Sequence, residues 1–316
     1  MTRIVAPSRL HFGLFNLPNP DHERWPGIDG QPGLPIRQFG GVGLMVDRPG
    51  LTVRVEPSND WHSQGPHAAR ALEFARLFMG NDSRRWAIVV EDAPLEHAGL
   101  GVGTQLALSV AKALAVEIGH DDWPATELAG RVGRGERSAI GIHGFDRGGL
   151  IVEGGKTAGE AVSPLVGRFD FPEEWGIVLA SPEPASGWHG IREREALASL
   201  GPSPAETAIL CRLVLMNLLP ALASRDFDAF GEALFEFNAR VGDVFAPVQG
   251  GRYSSPAVAS CIEGLRALGV KGVGQSSWGP TVFAIVKREV AEDIAKKANA
   301  PAVVAGASKG SSLSIS

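Results

Sequence analysis

Residues 99–119, GLGVGTQLALSVAKALAVEIG, constrain the fold more than any other stretch. Glycines alternate and then stop. Leu106, Val110 and Leu114 then recur every four residues, with Ala107 and Ala111 beside them. That spacing predicts a helix with one apolar stripe, which a second layer must cover. Gly119 supplies its C-terminal stop. Ahead of the helix, Gly99, Gly101 and Gly103 free the backbone to approach a ligand. The first helical turn adds unpaired N–H groups and the positive end of the dipole. Phosphate suits such a place. A tight turn leading into a packed helix accounts for the same residues. The segment lacks the Gly-Lys-Ser/Thr of a P-loop, and it is not a GxGxxG that opens a dinucleotide fold.

The rest of the chain sorts into two halves. Residues 2–16 read as one or two strands. Strand signal returns at 41–46 and 51–55, with Asp47-Arg48-Pro49-Gly50 as the turn between them. A helix is predicted over 66–79, a strand over 86–90, a helix over 124–134 and a strand near 149–152. Residues 17–38 are rich in Pro and Gly, and a loop of that length is a candidate lid. Composition shifts after about residue 168. Ser203-Pro204-Ala205-Glu206 is a helix start, with a Ser cap, Pro in the first turn and Glu three residues on. Helices are predicted to follow over 226–241, 256–268 and 288–298, with strands at 270–273, 281–286 and 302–304. The reading is therefore α+β with a boundary between 1–168 and 169–316. The polar tail, SKGSSLSIS, is expected to be loosely held.

The net charge of −5 argues against a general nucleic-acid or anionic-membrane binder, which is usually basic, although local arginines can still hold an anion. The richest apolar segment, Ile209 to Leu219, reads as too short to span a bilayer. The first residues carry no signal-peptide pattern. Cys211 and Cys261 both lie in apolar helical contexts and read as small buried side chains in a reducing compartment, which places the protein in the cytoplasm. No histidine spacing suits zinc.

Three further segments can carry chemistry. Arg9 and His11 share one face of a strand, a pairing that suits a phosphate or carboxylate. An exposed Arg beside a half-buried His would look the same. Residues 133–149, GRGERSAIGIHGFDRGG, set Arg134 and Arg137 among glycines, with Asp146 nearby. Arginine forks match phosphate oxygens. The alternative is a solvated charged loop, which its six glycines make less apt. Residues 272–280, GVGQSSWGP, offer Ser276, Ser277 and the face of Trp278 to a ring or a sugar phosphate, or else form a turn with a packed Trp.

Taken in order, Pro7–Leu14, Pro94–Leu106 and Gly272–Thr281 resemble the three motifs of the GHMP small-molecule kinase superfamily. The resemblance covers essentially the whole chain. It implies an N-terminal domain like the second domain of ribosomal protein S5 and a ferredoxin-like C-terminal domain. Within that superfamily, SRLHFGL, FGGVGLMVD, GLGVGTQLAL, GRGERSAIGIHGFDRGGLIVEGG and GQSSWGPTVFAI resemble the beta-ribofuranosylaminobenzene 5'-phosphate synthase family. That family joins phosphoribosyl diphosphate to 4-aminobenzoate or 4-hydroxybenzoate and releases CO2 and diphosphate, in the making of methanopterin-type cofactors.

Departures from the kinase pattern agree with that branch. Where the kinases use a loop Ser to help hold magnesium, this chain has Val102 and Gly103. Counting back about seven residues from Gly148-Gly149, where the kinases carry a catalytic Asp, gives Gly141; phosphoryl transfer to an alcohol needs that carboxylate. The resemblance implies that Gly99, Gly101, Gly103, Thr104 and Gln105 cradle diphosphate, with Arg134 and Arg137 on the phosphates. Arg9 and His11 face the reacting centre or the aryl carboxylate, and Ser276, Ser277 and Trp278 hold the ring or ribose phosphate. Asp146 is the acid that would help a metal. It implies Mg2+ as the cation and a homodimer as the assembly. An ATP-dependent kinase and a non-catalytic metabolite sensor on the same fold are the competing readings. A salvage-type phosphoribosyltransferase is disfavoured, because no strand ends in paired acidic residues before a Thr-rich phosphate loop.

Overall fold

The computed structural model describes residues 1–17, 24, 29, 31, 33–184, 195–197, 199–200 and 203–315. Two sheets divide it. The first contains β1 (Thr2–Asn16), β2 (Phe39–Ser58), β3 (His62–Gln64), β4 (Arg85–Asp92), β5 (Leu150–Glu153), β6 (Leu165–Phe169) and β11 (Ser312–Ile315). Its main path runs β11-β1-β2-β4-β3, and β5 joins β2 to β6. The second sheet, β10-β7-β9-β8, is built from β7 (Trp175–Ala180), β8 (Gly272–Gln275), β9 (Val282–Lys287) and β10 (Ala302–Ala305). In chain order that is 4-1-3-2, as in a ferredoxin-like sheet. Among the described helices are α1 (Ala68–Met79), α2 (Val102–Glu117), α3 (Ala125–Arg131) and α4 (Ile140–Arg147) in the first half. In the second are α5 (Pro204–Leu213), α6 (Leu219–Ser224), α7 (Phe227–Gln249), α8 (Pro256–Ala267) and α9 (Ala291–Lys297).

The helix of residues 99–119 forms, but its burial exceeds one stripe. Eleven of its sixteen residues are buried, Ala107, Ala111, Ala113 and Ala115 among them, so small side chains let neighbours close in on several sides. It packs on β1, β2, α1, α3 and α4. The expected caps are present. Ser203 Oγ accepts from Glu206 N at 3.3 Å, and Ser255 Oγ accepts from Val258 N at 3.2 Å, each with Pro in the first turn.

Four expectations change. Residues 39–58 form one strand, not two strands and a turn. Ala6 pairs with Leu51 and Ser8 with Val46, so residues 47–50 bulge out of a continuing ladder. Residues 140–147 are a helix, and its glycines serve packing: a Cβ on Gly144 would overlap the Met45 side chain. The α7 helix runs on to Gln249. Pro247 sits in its last turn, and Gly242 makes room for the Arg252 carbonyl. The tail is held. Ser312–Ile315 pair antiparallel with Thr2–Val5 and cover the open edge of β1, though their side chains stay exposed.

Cys261 is buried, but Cys211 is exposed, contrary to the expectation for it. The segment read as too short to cross a bilayer extends into a helical run from Pro204 to Ser224, with a π turn at Val214–Leu218. Its 21 residues contain an 18-residue window of mean hydropathy 1.7, which satisfies the length and composition of a span, and about a third of that window is buried. It packs on α7, and its α5 part also on β1. Leu215 and Met216 point outward.

Candidate active site

β1 is the shared wall on which three loops converge. Arg9 N donates to Leu100 O at 2.9 Å, Ser277 N donates to His11 O at 3.0 Å, and His11 N donates to Ser276 Oγ at 3.0 Å. Ser276 Oγ in turn donates to Gly99 O at 2.7 Å. Four bonds thus tie the first strand, the loop before α2 and the turn after β8 into one block. From α7, the buried Asn238 adds a clamp. Its Nδ2 donates to Phe12 O at 2.7 Å and Gln275 O at 2.9 Å, and its Oδ1 accepts from Gln275 N at 2.9 Å.

A cavity opens against this block. Arg9, His11, Thr104, Arg134, Arg137, Ser277 and Trp278 all line it. Residues 133–138 contribute one cationic wall. Val241 and Phe245 of α7, with Leu14 and Trp278, contribute an apolar one, and the Phe245 and Trp278 rings meet edge to face at 4.7 Å.

Six expected site residues lie off the lining. Gly99 carries φ +82° and faces the Ser276 carbonyl. A Cβ on Gly101, φ +71°, would lie 3.1 Å from Arg9 Nε, and one on Gly103 would meet the Arg70 guanidinium. At these glycines the place of a side chain is taken by protein atoms, and Thr104 is the residue of that stretch that lines the cavity. Gln105 is 1% exposed, and its Nε2 donates to Gly141 O at 2.8 Å, which makes it a brace between α2 and α4. Ser276 is buried as the bridge just described. Asp146 is exposed, and its Oδ2 accepts from Ala125 N at 3.1 Å at the start of α3. The candidate lid falls largely outside the described residues.

The electrostatics favour an anion. No side chain caps the start of α2. Burial, then Arg70 beside it, pushes the Arg134 guanidinium down to about 10. Its charged face lies over the Phe74 ring at 4.7 Å, while Arg70 is held by Glu96. Crowded, half-buried guanidiniums gain most when a multiply charged anion arrives between them.

Comparison with known proteins follows that geometry. Residues 218–312 match the family model "GHMP kinases C terminal". A beta-ribofuranosylphenol 5'-phosphate synthase of Methanothermobacter thermautotrophicus is 32% identical over 308 residues, covering 89% of this chain and 88% of its own. One from Archaeoglobus fulgidus is 33% identical over 301 residues, covering 90% and 88%. The chain belongs to this synthase family. Among solved structures, the mevalonate pyrophosphate decarboxylase of Streptococcus pyogenes superposes with a TM-score of 0.65 at 12% identity, covering 98% of this chain and 97% of its own. The homoserine kinase of Cytophaga hutchinsonii gives 0.62 at 13%, covering 99% and 97%. With the family-model match, those two likenesses show the GHMP kinase fold for the enzyme.

The donor set tests magnesium. Among the described residues, no group of three His, Cys, Asp or Glu side chains could hold a metal, and Glu136 is the carboxylate on the cavity lining. That suits an ion carried by substrate oxygens and water, with Glu136 as a single protein ligand, and does not suit a protein-built cage.

Sequence reading misses Asn238 and the Arg252–Tyr253 edge of the cavity. Asn238 had left a sign, because it is the polar residue on a face otherwise made of Phe230, Leu234, Phe237 and Val241.

His11 is 4% exposed, and burial, with Arg9 adding to it, holds its pKa well below 6.5. The unfolded chain therefore takes up a proton near pH 6.5 that the folded one refuses, so this stability is present above 6.5 and lost as pH falls below it. A His11→Gln variant should show a shallower fall in urea midpoint between pH 7.5 and 5 than the parent, both followed by tryptophan fluorescence.

Proposed function

We infer that the enzyme transfers a 5-phosphoribosyl group from phosphoribosyl diphosphate to a para-substituted benzoate, with loss of CO2 and release of diphosphate. This is decarboxylating glycosyl transfer, a step toward methanopterin-type cofactors. The relatives' printed product is a phenol, which makes 4-hydroxybenzoate the first acceptor to test and 4-aminobenzoate the second. The observation that carries the reading is a single cavity with arginines on one wall and an aromatic, aliphatic surface on the other.

The chemistry fits those walls. The ring carbon bearing the carboxylate attacks the anomeric carbon, and the C–O bond to diphosphate breaks with its electron pair. The bond to CO2 then breaks and returns its pair to the ring. No hydroxyl proton has to be removed. In keeping with that, a Cβ at Gly141 would have Gln105, Thr104 and Arg9 as its nearest neighbours, and no carboxylate. Arg134, Arg137 and the free end of α2 would stabilise departing diphosphate. Mg2+, bound with the donor, would add charge neutralisation. The apolar wall would hold the aryl ring and exclude water from the sugar cation. Buried His11 stays neutral beside Arg9 and can orient the substrate as a hydrogen-bonding group. Ser277 and Trp278 close the site at the aryl side.

The test is a balance of products. Protein, phosphoribosyl diphosphate, magnesium and carboxyl-labelled 4-hydroxybenzoate should release CO2 and diphosphate in equal amounts, and ATP should not replace the donor. Diphosphate without CO2, or turnover of an alcohol with ATP, would overturn the reading. In the same assay Arg134→Met should lower kcat/KM for the donor roughly 10- to 100-fold, as expected for one charged phosphate contact. The proposed setting is the cytoplasm, which suits two unpaired cysteines. The proposed assembly is a homodimer, with the outward Leu215 and Met216 as candidate contact, and light scattering measures it.

A further inference from the structure

The loop that carries Arg134 and Arg137 is pegged from behind by a charge. Glu153, the last residue of β5, has no exposed surface. Its Oε1 accepts from Ser138 Oγ at 2.6 Å and its Oε2 from Ala139 N at 2.7 Å, where the loop turns into α4. Lys156, three residues on, donates from Nζ to Gly135 O at 3.1 Å in the middle of the same loop. Every residue from Gly133 to Ser138 lines the cavity, so the pegs stand directly behind the anion-facing wall. Glu153 itself is not on that lining.

We propose that Glu153 is a positioning residue: its buried carboxylate holds residues 133–139 in the arrangement that lets Arg134 and Arg137 bind the donor's diphosphate. The proposal rests on the anion reading of the cavity.

The chain keeps this charge against its own stability. Burial raises the Glu153 pKa, and the Ser138 and Ala139 bonds, the Ser163 side chain and the His143 charge offset this only in part. His143 of α4 is the titratable neighbour whose charge reaches it, and the His143 Nε2 sits 2.7 Å from Ser163 O. The paired positions on β2 and β6 are Gly41 and Leu165, which do not titrate. A carboxyl whose folded pKa is raised contributes stability at low pH and loses it as pH rises from the ordinary 4.5 through the raised value. A residue kept only for stability would not need to be a glutamate here. An isosteric amide can turn its oxygen to Ala139 N and its NH2 to Ser138 Oγ, keeping both contacts while losing the charge-assisted strength of each.

The test is Glu153→Gln in the full chain, with Ser138→Ala as a second variant that removes one bond only. Inorganic diphosphate with magnesium is the probe, titrated by calorimetry. Expected for E153Q at pH 7.5 is a thermal midpoint equal to or above the parent's, about tenfold weaker diphosphate binding, and faster amide exchange confined to residues 133–139. The affinity ratio between parent and E153Q should shrink toward one as pH is lowered and Glu153 takes up a proton. Protonation of the probe affects both proteins alike and leaves that ratio unchanged. S138A should weaken diphosphate binding by a smaller factor. Diphosphate binding unchanged in E153Q, or a ratio that does not move with pH, overturns the proposal alone. A parent protein that binds no diphosphate overturns the cavity reading, and the proposal with it.

Discussion

Gly99→Ala is expected to cost about 3 kcal/mol or more of stability and to reduce activity by at least two orders of magnitude, whereas Gly119→Ala should cost about 1 kcal/mol and leave activity nearly intact. The two glycines have the same backbone need: φ is +82° at Gly99 and +86° at Gly119. Placing an L-residue in that region costs roughly 1–2 kcal/mol anywhere. They differ in what stands beside them. A Cβ at Gly119 would meet nothing within 4 Å, but at Gly99 it would collide with the Ser276 carbonyl oxygen. Ser276 cannot retreat alone. Its hydroxyl bridges His11 N and Gly99 O, and Ser277 N is tied to His11 O. The displacement therefore travels into the cavity lining at His11 and Ser277. Urea denaturation and product release on the two variants decide the matter. Equal losses in both would mean that backbone strain alone sets the cost, and that the joint of the three loops is not tight.

That joint also marks how far the sequence could be read. Periodicity and capping chemistry located α1, α2, α5 and α8 because their signals are local: an apolar repeat, or a Ser-Pro pair followed by acceptor geometry. β11 could not be read that way. SLSI alternates serine with Leu313 and Ile315 over only four residues, all of them exposed, and what makes it a strand is the unpaired edge of β1, about 310 residues away along the chain. Helix α4 was masked by Gly141 and Gly144, which oppose helix formation locally and are kept because Gln105 and Met45 press against them.

The candidate site shows the same division. Arg134 and Arg137 are legible as charges set among glycines and Arg9 as the strand-face partner of His11, and all three line one cavity. The glycines at the start of α2 suit a ligand and a protein neighbour equally, because a permissive backbone looks the same whether phosphate, a carbonyl or a guanidinium approaches it. Gln105 and Asp146 look like ligand residues in a string of letters. Only partners far apart in sequence, Gly141 O and Ala125 N, reveal them as a brace and a helix-start contact.

Asn238→Ala should remove about 3–5 kcal/mol, a large part of what holds a domain together. The amide sits 6% exposed and satisfies Phe12 O, Gln275 O and Gln275 N at once. Alanine strands all three, and each buried unsatisfied group costs about 1–3 kcal/mol before relaxation or entering water recovers some of it. Because Phe12 belongs to β1 and Gln275 to β8, the loss falls on the seam between the two sheets, and the cavity lining that both strands share should loosen with it. A packing explanation predicts otherwise. If Asn238 matters by shape alone, Asn238→Asp should be nearly neutral. If it matters as a donor, Asp should be as damaging as Ala at neutral pH, since a carboxylate cannot donate to either carbonyl and brings a buried charge. The aspartate's folded pKa would then be raised, so its deficit relative to the parent should narrow as pH falls and the acid regains one proton to donate. Thermal midpoints of the parent, N238A and N238D at pH 7.5 and 5 separate the two explanations. A near-neutral N238D at pH 7.5 would show that the seam is held by fit and not by the amide's hydrogen bonds.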